Sequence, residues 1–324
     1  MNLGIVILNW NGESLLKKFF PSIVKFTSEQ HNLYLIDNGS SDNSVAFIER
    51  NYKRVKVIKL DKNYGYAKGY NLGLKEIKEE IICLLNNDVE VTENWTDNIL
   101  KQFKSEPNTA VIQPKLKNYH NKSMFDYSGG AGGFLDKYGY PYCRGRIYNK
   151  IEQDNNQYDE ISDIFWACGA CFFIKTDIFK KLNGFDELFW AHFEEIDLCW
   201  RIQNYGYKIR FNHTSVVYHA NGATLSHENP NKTFLNYRNK LFTITKNSKN
   251  NLFFLLIEKF FIDMITSIYI LFSKGTEHHM AIIKAYYSFY KHINMLIEFR
   301  KNQSRKIKHY KIRTIIFKYL ALKS

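Results

Sequence analysis

Four times within the first 91 residues a short apolar run breaks off into Asn, Asp and Gly: "LGIVILNWNG", "LYLIDNGSSDNS", "VKVIKLDKNYG" and "IICLLNNDVEV". Between these runs lie helix-compatible stretches such as "ESLLKKFFPSIVKF" and "SVAFIERNY". Strand-like segments alternating with helices predict an α/β domain, Rossmann-like, with a largely parallel central sheet. In open sheets of that kind, ligands bind beyond the carboxyl ends of the strands. Asn9, Asp37, Asn63 and Asp88 all fall at or just after such ends, so the same pattern that predicts the fold also nominates the first site residues.

Composition narrows the class. The chain is 324 residues long, 45% apolar and 24% charged, as expected of a folded globular protein rather than a disordered one. That length allows one large domain, or a domain with an appendage. The net charge of +13 is unevenly placed: residues 241–324 carry 15 Lys and Arg against 4 Asp and Glu, the first 240 carry 30 against 28. A basic tail of this kind suits an anionic partner, either nucleic acid or a membrane surface. Five cysteines, an odd number, do not form the framework of a secreted domain. The start, "MNLGIVILNW", has neither the basic stretch nor the cleavage site of a signal peptide. A cytoplasmic or cytosol-facing protein is the expectation.

Further along, "YSGGAGGFLDKYGYP" reads as loop, "IFWACGACFFI" as a buried strand, "TDIFKKLNGF" as helix and "TSVVYHANG" as the last strand. Cys168 and Cys171 form a C-x-x-C, but a redox pair ordinarily opens a helix and a zinc site needs a second pair, so both are expected to be structural. The segment "HFEEIDLCWR" sets Glu194, Glu195 and Asp197 among residues fit for burial. On a helix, Glu194, Asp197, Arg201 and Asn204 share a polar arc, with Asp197 and Arg201 one turn apart. Glu195 falls instead on the apolar side, between Ile202 and Cys199. A carboxylate there is costly or has a shifted pKa, unless it faces a cleft, a cation or a substrate.

Taken in order, "VILNWNG", "IDNGSSDNS", "NYGYAKGYNLG", "LLNNDVEV", "GFDELFWAHFEEIDLCWR", "VVYH" and "NYRNKL" resemble the family 2 inverting glycosyltransferases, in their bacterial rhamnosyltransferase-like branch. The resemblance implies a glycosyltransferase A-type fold over residues 1–245 and a nucleotide-diphosphate sugar as donor. Residues 246–324 are then a basic, α-helical C-terminal extension.

Each motif carries an implied role beside a plainer one. The family's counterpart of Asp37 accepts a hydrogen bond from a pyrimidine imide, which suits uracil or thymine donors; the residue is equally fit to form an Asx-turn. Asn9, Asn63, Gly65, Asn86 and Asn87 are expected to shape the nucleotide-sugar pocket, although glycines there also serve a plain turn. Asp88 looks like the terminal acid of the family's metal-binding signature, with Asn86 and Asn87 where an earlier acid often stands. His219 matches a position that can supply a metal-ligating imidazole. A divalent cation, Mg or Mn, is therefore expected to neutralise the diphosphate leaving group. The second acid of the paired motif aligns with Glu195, the implied general base; relatives commonly carry Asp there. Glu194, Trp190 and His192 are expected at the acceptor, the last two with core packing as the alternative.

The stretch "LFFLLIEKFFIDMITSIYILF", Leu252 to Phe272, is long enough to cross a bilayer but contains Glu258, Lys259 and Asp263. An apolar helix with one polar stripe and a basic tail better fits the membrane interface, with packing on the catalytic domain as the alternative. Interfacial attachment suits a glycan acceptor on polyprenyl diphosphate at the cytosolic face of the inner membrane, a link that rests on the resemblance. Two rivals are weaker. A nucleotidyltransferase on a related fold needs a basic Gly-rich loop near the start, and "ILNWNGESLL" has no Lys or Arg. A nucleic-acid-binding protein fits the tail but not the near-neutral body, so no nucleic-acid partner is expected.

Overall fold

The computed structural model describes residues 1–221, 229–304 and 307–316. Its chain divides into two compact units: residues 1–134, 142–202 and 207–221 form the first, residues 135–141, 203–206 and 222–324 the second. The helix over "NYRNKL", which the sequence places with the first region, groups with the second unit.

In the first unit the elements run β1 (Leu3–Asn9), α1 (Glu13–Phe26), β2 (Asn32–Asp37), α2 (Ser44–Asn51), β3 (Val55–Lys59), α3 (Gly65–Gly73), β4 (Ile81–Asn86), β5 (Val89–Val91), α4 (Asp97–Ser105) and β6 (Thr109–Asn118). A small sheet follows, with strands β7 (Gly133–Leu135), β8 (Pro141–Cys143), β9 (Arg146–Ile147) and β10 (Lys150–Ile151). The chain then forms β11 (Ser162–Asp163), β12 (Cys171–Lys175), α5 (Thr176–Lys181), α6 (Glu194–Asn204) and β13 (Lys208–His219).

The large sheet has the order β11-β13-β6-β12-β4-β1-β2-β3, with β5 also on β13. Strands β1 to β4 pair in parallel, as the early alternation predicts. In β1 and β4 the side chains are buried on both faces, from Leu3 to Ile7 and from Ile81 to Leu85, which is why those runs are continuously apolar, whereas the edge strand β3 alternates with exposed lysines. Beyond β4 the sheet becomes mixed. β12 runs antiparallel to both β4 and β6, while β13 runs parallel to β6. The reason is where the chain goes between β6 and β12: it leaves at the carboxyl end of β6, forms the small sheet and the short edge strand β11 on β13, and comes back to start β12 at the rim it left. The carboxyl ends of β1, β2, β4, β6 and β13 therefore share one rim with that excursion.

One expected strand is shorter than its apolar run. In "IFWACGACFFI" only Cys171–Lys175 is strand, and the chain turns at Gly169 and Ala170. All five cysteines are buried and unpaired by disulfide.

The second unit is built on three helices, α7 (Pro230–Asn247), α8 (Leu252–Lys274) and α9 (Thr276–Lys301), with α9 packed on the other two. Gly275 alone joins α8 to α9, at a φ of 92° that favours glycine. The polar stripe of α8 points inward: Lys259, Asp263 and Ser267 are all 0% exposed. Asp263 accepts from Lys259 Nζ at 2.9 Å, from the Tyr286 hydroxyl at 2.7 Å and from the Tyr140 hydroxyl. Among the described residues, no helix is long and apolar enough to cross a membrane.

Candidate active site

The site is assembled from strand ends. At the end of β2, Asp37 accepts on its Oδ2 from the Ser40 amide at 3.3 Å, three residues on, which closes the turn after the strand. Its Oδ1 is buried and has no partner, and a buried acceptor without a partner is costly unless a ligand supplies one. Asn9, at the end of β1, is fully buried with both ends of its amide engaged. Nδ2 donates to Ser44 Oγ at 3.0 Å and Oδ1 accepts from Asn87 Nδ2 at 2.9 Å. Its side chain thus ties the end of β1 to the start of α2 and to the residue just past β4. Asn86 is half-buried beside Asn87 at the end of β4.

The next segment is held by a residue outside the expected set. Asn38 donates to Gly65 O at 3.0 Å and to Asn63 Oδ1 at 3.1 Å, and accepts from the Tyr64 amide at 3.0 Å. Asn63 Oδ1 also caps the Gly65 amide at 2.8 Å. Gly65 must be glycine twice over. Its φ is +76°, and a Cβ there would lie 2.9 Å from the Trp190 ring. Trp190 is 52% exposed and its carbonyl accepts from the Tyr66 amide at 3.0 Å, which joins the start of α3 to the approach of α6.

Asp88 and His219 come together at the ends of β4 and β13, with Nε2 3.3 Å from Asp88 Oδ1. The other ring nitrogen lies 3.2 Å from Asp126 Oδ1. Asp126 also accepts from the amides of Ser128 at 2.6 Å and Gly129 at 3.2 Å, and from Asn221 Nδ2. Burial would lower the His219 pKa, but Asp126 and Asp88 outweigh it and raise the imidazole to about 10. To hold a divalent cation together with Asp88, the His219 ring would have to give up its Nε2 proton, while Asp126 keeps hold of the other nitrogen. Among the described residues no cluster of three or more His, Cys, Asp or Glu side chains could hold a metal.

The acidic pair sits where α6 begins. His192 and Phe193, just before it, both have positive φ, 68° and 74°. Two consecutive non-glycine residues in that region make a strained turn, a feature that clusters at functional sites. Glu194 is 5% exposed and Glu195 half-buried, and each has an Oε2 without a partner. Burial pushes the Glu195 carboxyl up to about 7, against the backbone amides that favour its charge. Glu194 is held well above the ordinary value by burial and by the charge of Glu195. Both carboxyls are thus held above their ordinary range, and the pair shares its protons near neutral pH.

Around Glu195 the walls are tight. The Tyr66 hydroxyl donates to Gly169 O at 2.8 Å, and a Cβ on Gly169 would lie 3.1 Å from that hydroxyl and 4.0 Å from the Glu195 carboxyl carbon. Cys168 lies between the two halves of the site: burial, Asp126 and Glu195 all hold its thiol well above the usual value. That leaves no thiolate for redox chemistry, consistent with a structural cysteine. Asp197 stays out of the site. It pairs with Arg201 at 2.8 Å, and Arg201 also donates to the carbonyls of Leu182 and Gly184.

Sequence reasoning missed Asp126, Asn38, Tyr66 and Gly169. Asp126 in "FDYSGG" had a legible turn signal, an acid two residues before Ser, but nothing local shows that a histidine 93 residues away meets it. Trp10 is also 52% exposed beside Asn9 at the rim.

The sequence profile of glycosyl transferase family 2 matches residues 4–182. The low-salt glycan biosynthesis hexosyltransferase Agl10 of Haloferax volcanii is 23% identical over 205 residues, covering 62% of this chain and 61% of that protein. The N-acetylglucosaminyl-diphospho-decaprenol L-rhamnosyltransferase of Mycobacterium tuberculosis is 21% identical, covering 63% of this chain and 71% of its own. Rhamnosyltransferase WbbL of Escherichia coli is 22% identical, covering 64% and 79%. The chain thus spans about three fifths of Agl10 and more of the other two. Among solved structures, GalNAc-T7 with UDP, GalNAc and Mn2+ aligns with a TM-score of 0.62 at 18% identity, over 77% of this chain and 48% of that one. S. aureus TarS 1-349 in complex with UDP aligns with a TM-score of 0.54 at 13% identity, over 96% and 95%. These likenesses establish the fold as glycosyltransferase A-type. With more than half its length under the family profile, the chain belongs to glycosyl transferase family 2.

Proposed function

We propose that the protein is an inverting glycosyltransferase that moves a sugar from a nucleotide-diphosphate donor, dTDP- or UDP-linked with dTDP-rhamnose among the candidates, to a glycan hydroxyl. The observation that carries this reading is Glu195, a half-buried carboxylate raised to about 7, with one oxygen free of protein partners. An acceptor hydroxyl placed against Glu195 Oε2 gives up its proton as its oxygen bonds to the anomeric carbon. The bond from that carbon to the diphosphate breaks on the opposite face, so the anomeric centre inverts and the nucleoside diphosphate leaves. Glu194 offers a second carboxyl to the acceptor hydroxyls, and Trp190 and His192 form its platform. Asp37 Oδ1 accepts from the imide of the pyrimidine base. A divalent cation, Mg or Mn, held by Asp88 and His219 would neutralise charge on the departing diphosphate.

The named relatives support the finer points of this reading. Two are called rhamnosyltransferases, and one of those names an acceptor on decaprenyl diphosphate. An acceptor of that kind, in the assembly of a bacterial surface polysaccharide, places the enzyme at the cytosolic face of the inner membrane. The basic C-terminal region then meets an anionic membrane surface.

The test is a donor screen with Mn2+ or Mg2+, reading UDP or dTDP release with and without a lipid-linked acceptor, beside Glu195→Gln and Asp88→Ala. Metal-dependent release from one donor, lost in both variants, is the expected result. A wild-type protein that binds no nucleotide sugar would overturn the reading.

A further inference from the structure

The helical hairpin of the second unit is built the wrong way round for a water-facing surface. In a soluble amphipathic helix the apolar stripe packs inward and charge faces water. Here α8 buries Lys259, Asp263 and Ser267, which recur every fourth residue, and shows its opposite face. That face carries Phe254, Phe261, Ile265, Ile268 and Phe272, all exposed, with Ile265 at 69% and Phe272 at 84%. Their spacing of three, four and seven residues makes one continuous stripe along the helix. On α9, Ile283, Tyr287 and Tyr290 are exposed at the same kind of spacing. Single exposed apolar residues need no explanation, but two aligned stripes on one hairpin do.

The buried network commits the hairpin to this orientation. Asp263 serves Lys259, Tyr140 and Tyr286 at once. Rolling α8 to hide its phenylalanines would carry the Lys259–Asp263 pair along with it, since both lie on α8, but would break both tyrosine contacts that Asp263 accepts. The apolar face is thus fixed outward by the charges beneath it.

We infer that the outward face of the α8–α9 hairpin lies in the interfacial layer of an anionic membrane, with its aromatic and aliphatic side chains among the acyl chains. Two observations select lipid over other occupants. The first is charge. Exposed Lys274 ends α8, and exposed Lys284 and Lys291 lie one residue beyond Ile283 and Tyr290, at the edge of the α9 stripe. Lysines there reach the phosphate level while the apolar side chains insert. Residues 241–324 hold 15 Lys and Arg against 4 Asp and Glu, so two copies of this region would repel each other where an anionic surface attracts. The second is the form of the helix. It presents a stripe and not a wholly apolar surface, and no described helix is long and apolar enough to span. This seating deepens the membrane-borne acceptor reading and depends on it for its purpose, while the surface itself is independent of the transfer chemistry.

The test is co-sedimentation of the full chain with vesicles of phosphatidylcholine alone and of phosphatidylcholine with phosphatidylglycerol. The protein should bind the anionic vesicles, less so as salt rises. Ile265→Glu with Phe272→Glu should lower the partition by roughly tenfold or more. These side chains are mostly exposed, so the circular dichroism should not change, nor should transfer to a water-soluble acceptor analogue. Lys284→Gln with Lys291→Gln should weaken binding to anionic vesicles but not to neutral ones. Equal vesicle binding by the wild type and the Ile265→Glu, Phe272→Glu protein would overturn the inference. So would a wild type that ignores vesicles and sediments as a dimer which that double variant breaks, because the face would then join two copies. Vesicle binding that follows this pattern in a protein with no transferase activity would uphold the seating and sink the catalytic reading instead.

Discussion

Replacing Glu195 with Gln should remove activity and, above neutral pH, make the fold more stable. The carboxyl has an ordinary value of 4.5 and is pushed up to about 7 in the folded protein, mainly by burial. Between those two values the folded chain keeps a proton that the unfolded chain has lost. Raising the pH through that window therefore costs stability, and the cost is fully present above about 7 and absent below 4.5. At ~1.4 kcal/mol per pH unit the ceiling is about 3 kcal/mol. Glu195 is only half-buried, and water reaching it brings the working figure down to about 1–2 kcal/mol. Glutamine keeps the shape and carries no charge, so the variant escapes this cost. At pH 8 its unfolding midpoint should rise by roughly 2–6 °C, and at pH 4 by nothing. Loss of the base should lower kcat by a factor of about 100 to 10,000, and wild-type kcat should rise with pH through about 7. Paired thermal melts at the two pH values, read beside nucleotide release, check both halves. A variant equally or less stable than wild type at pH 8, or stabilised to the same extent at pH 4, would refute the argument that the fold raises the Glu195 carboxyl at a cost in stability.

Three further perturbations follow from the geometry. Asp126→Ala strips an acceptor from His219, Asn221 and the amides of Ser128 and Gly129, and should cost roughly 2–4 kcal/mol in denaturant unfolding. Asp37→Ala should weaken UDP or dTDP binding by about tenfold or more in calorimetry, with little loss of kcat at saturating donor, if its free oxygen serves the base. Gly169→Val should lower kcat while donor binding holds, because the new side chain enters the space between the Tyr66 hydroxyl and Glu195; an unchanged kcat would mean that the acceptor does not pass there.

Much of this was legible before any coordinates. The parallel half of the sheet could be read because strands buried on both faces are written as unbroken apolar runs. Asp197 and Arg201 could be paired because helical spacing is local. The features that escaped are those fixed by distant chain. The antiparallel direction of β12 depends on the path of residues 119–170, and no residue within "CFFIK" records it. Asn38 and Asp126 look like ordinary turn formers until the segments they hold, at Gly65 and His219, are placed beside them. The polar stripe of α8 was visible as a stripe. Which way it faced was not, because the deciding partners, Tyr140 and Tyr286, come from elsewhere in the unit.

The antiparallel return of β12 has a consequence for how such a chain can diversify. An insertion in a crossover between parallel strands must still carry the chain across the sheet, so its length is constrained. Residues 119–170 begin and end at one rim, so the parts of them that no strand or buried contact holds can lengthen or shorten without moving the ends of β6 or β12. Asp126 and Gly169, near the ends of that excursion, stay anchored to His219 and Tyr66, Tyr140 to Asp263 and Ser162–Asp163 to β13, which leaves the mostly exposed residues 155–161 as the part free to vary. Substitutions that retarget the enzyme should accumulate there first, on a scaffold that need not adjust to accept them.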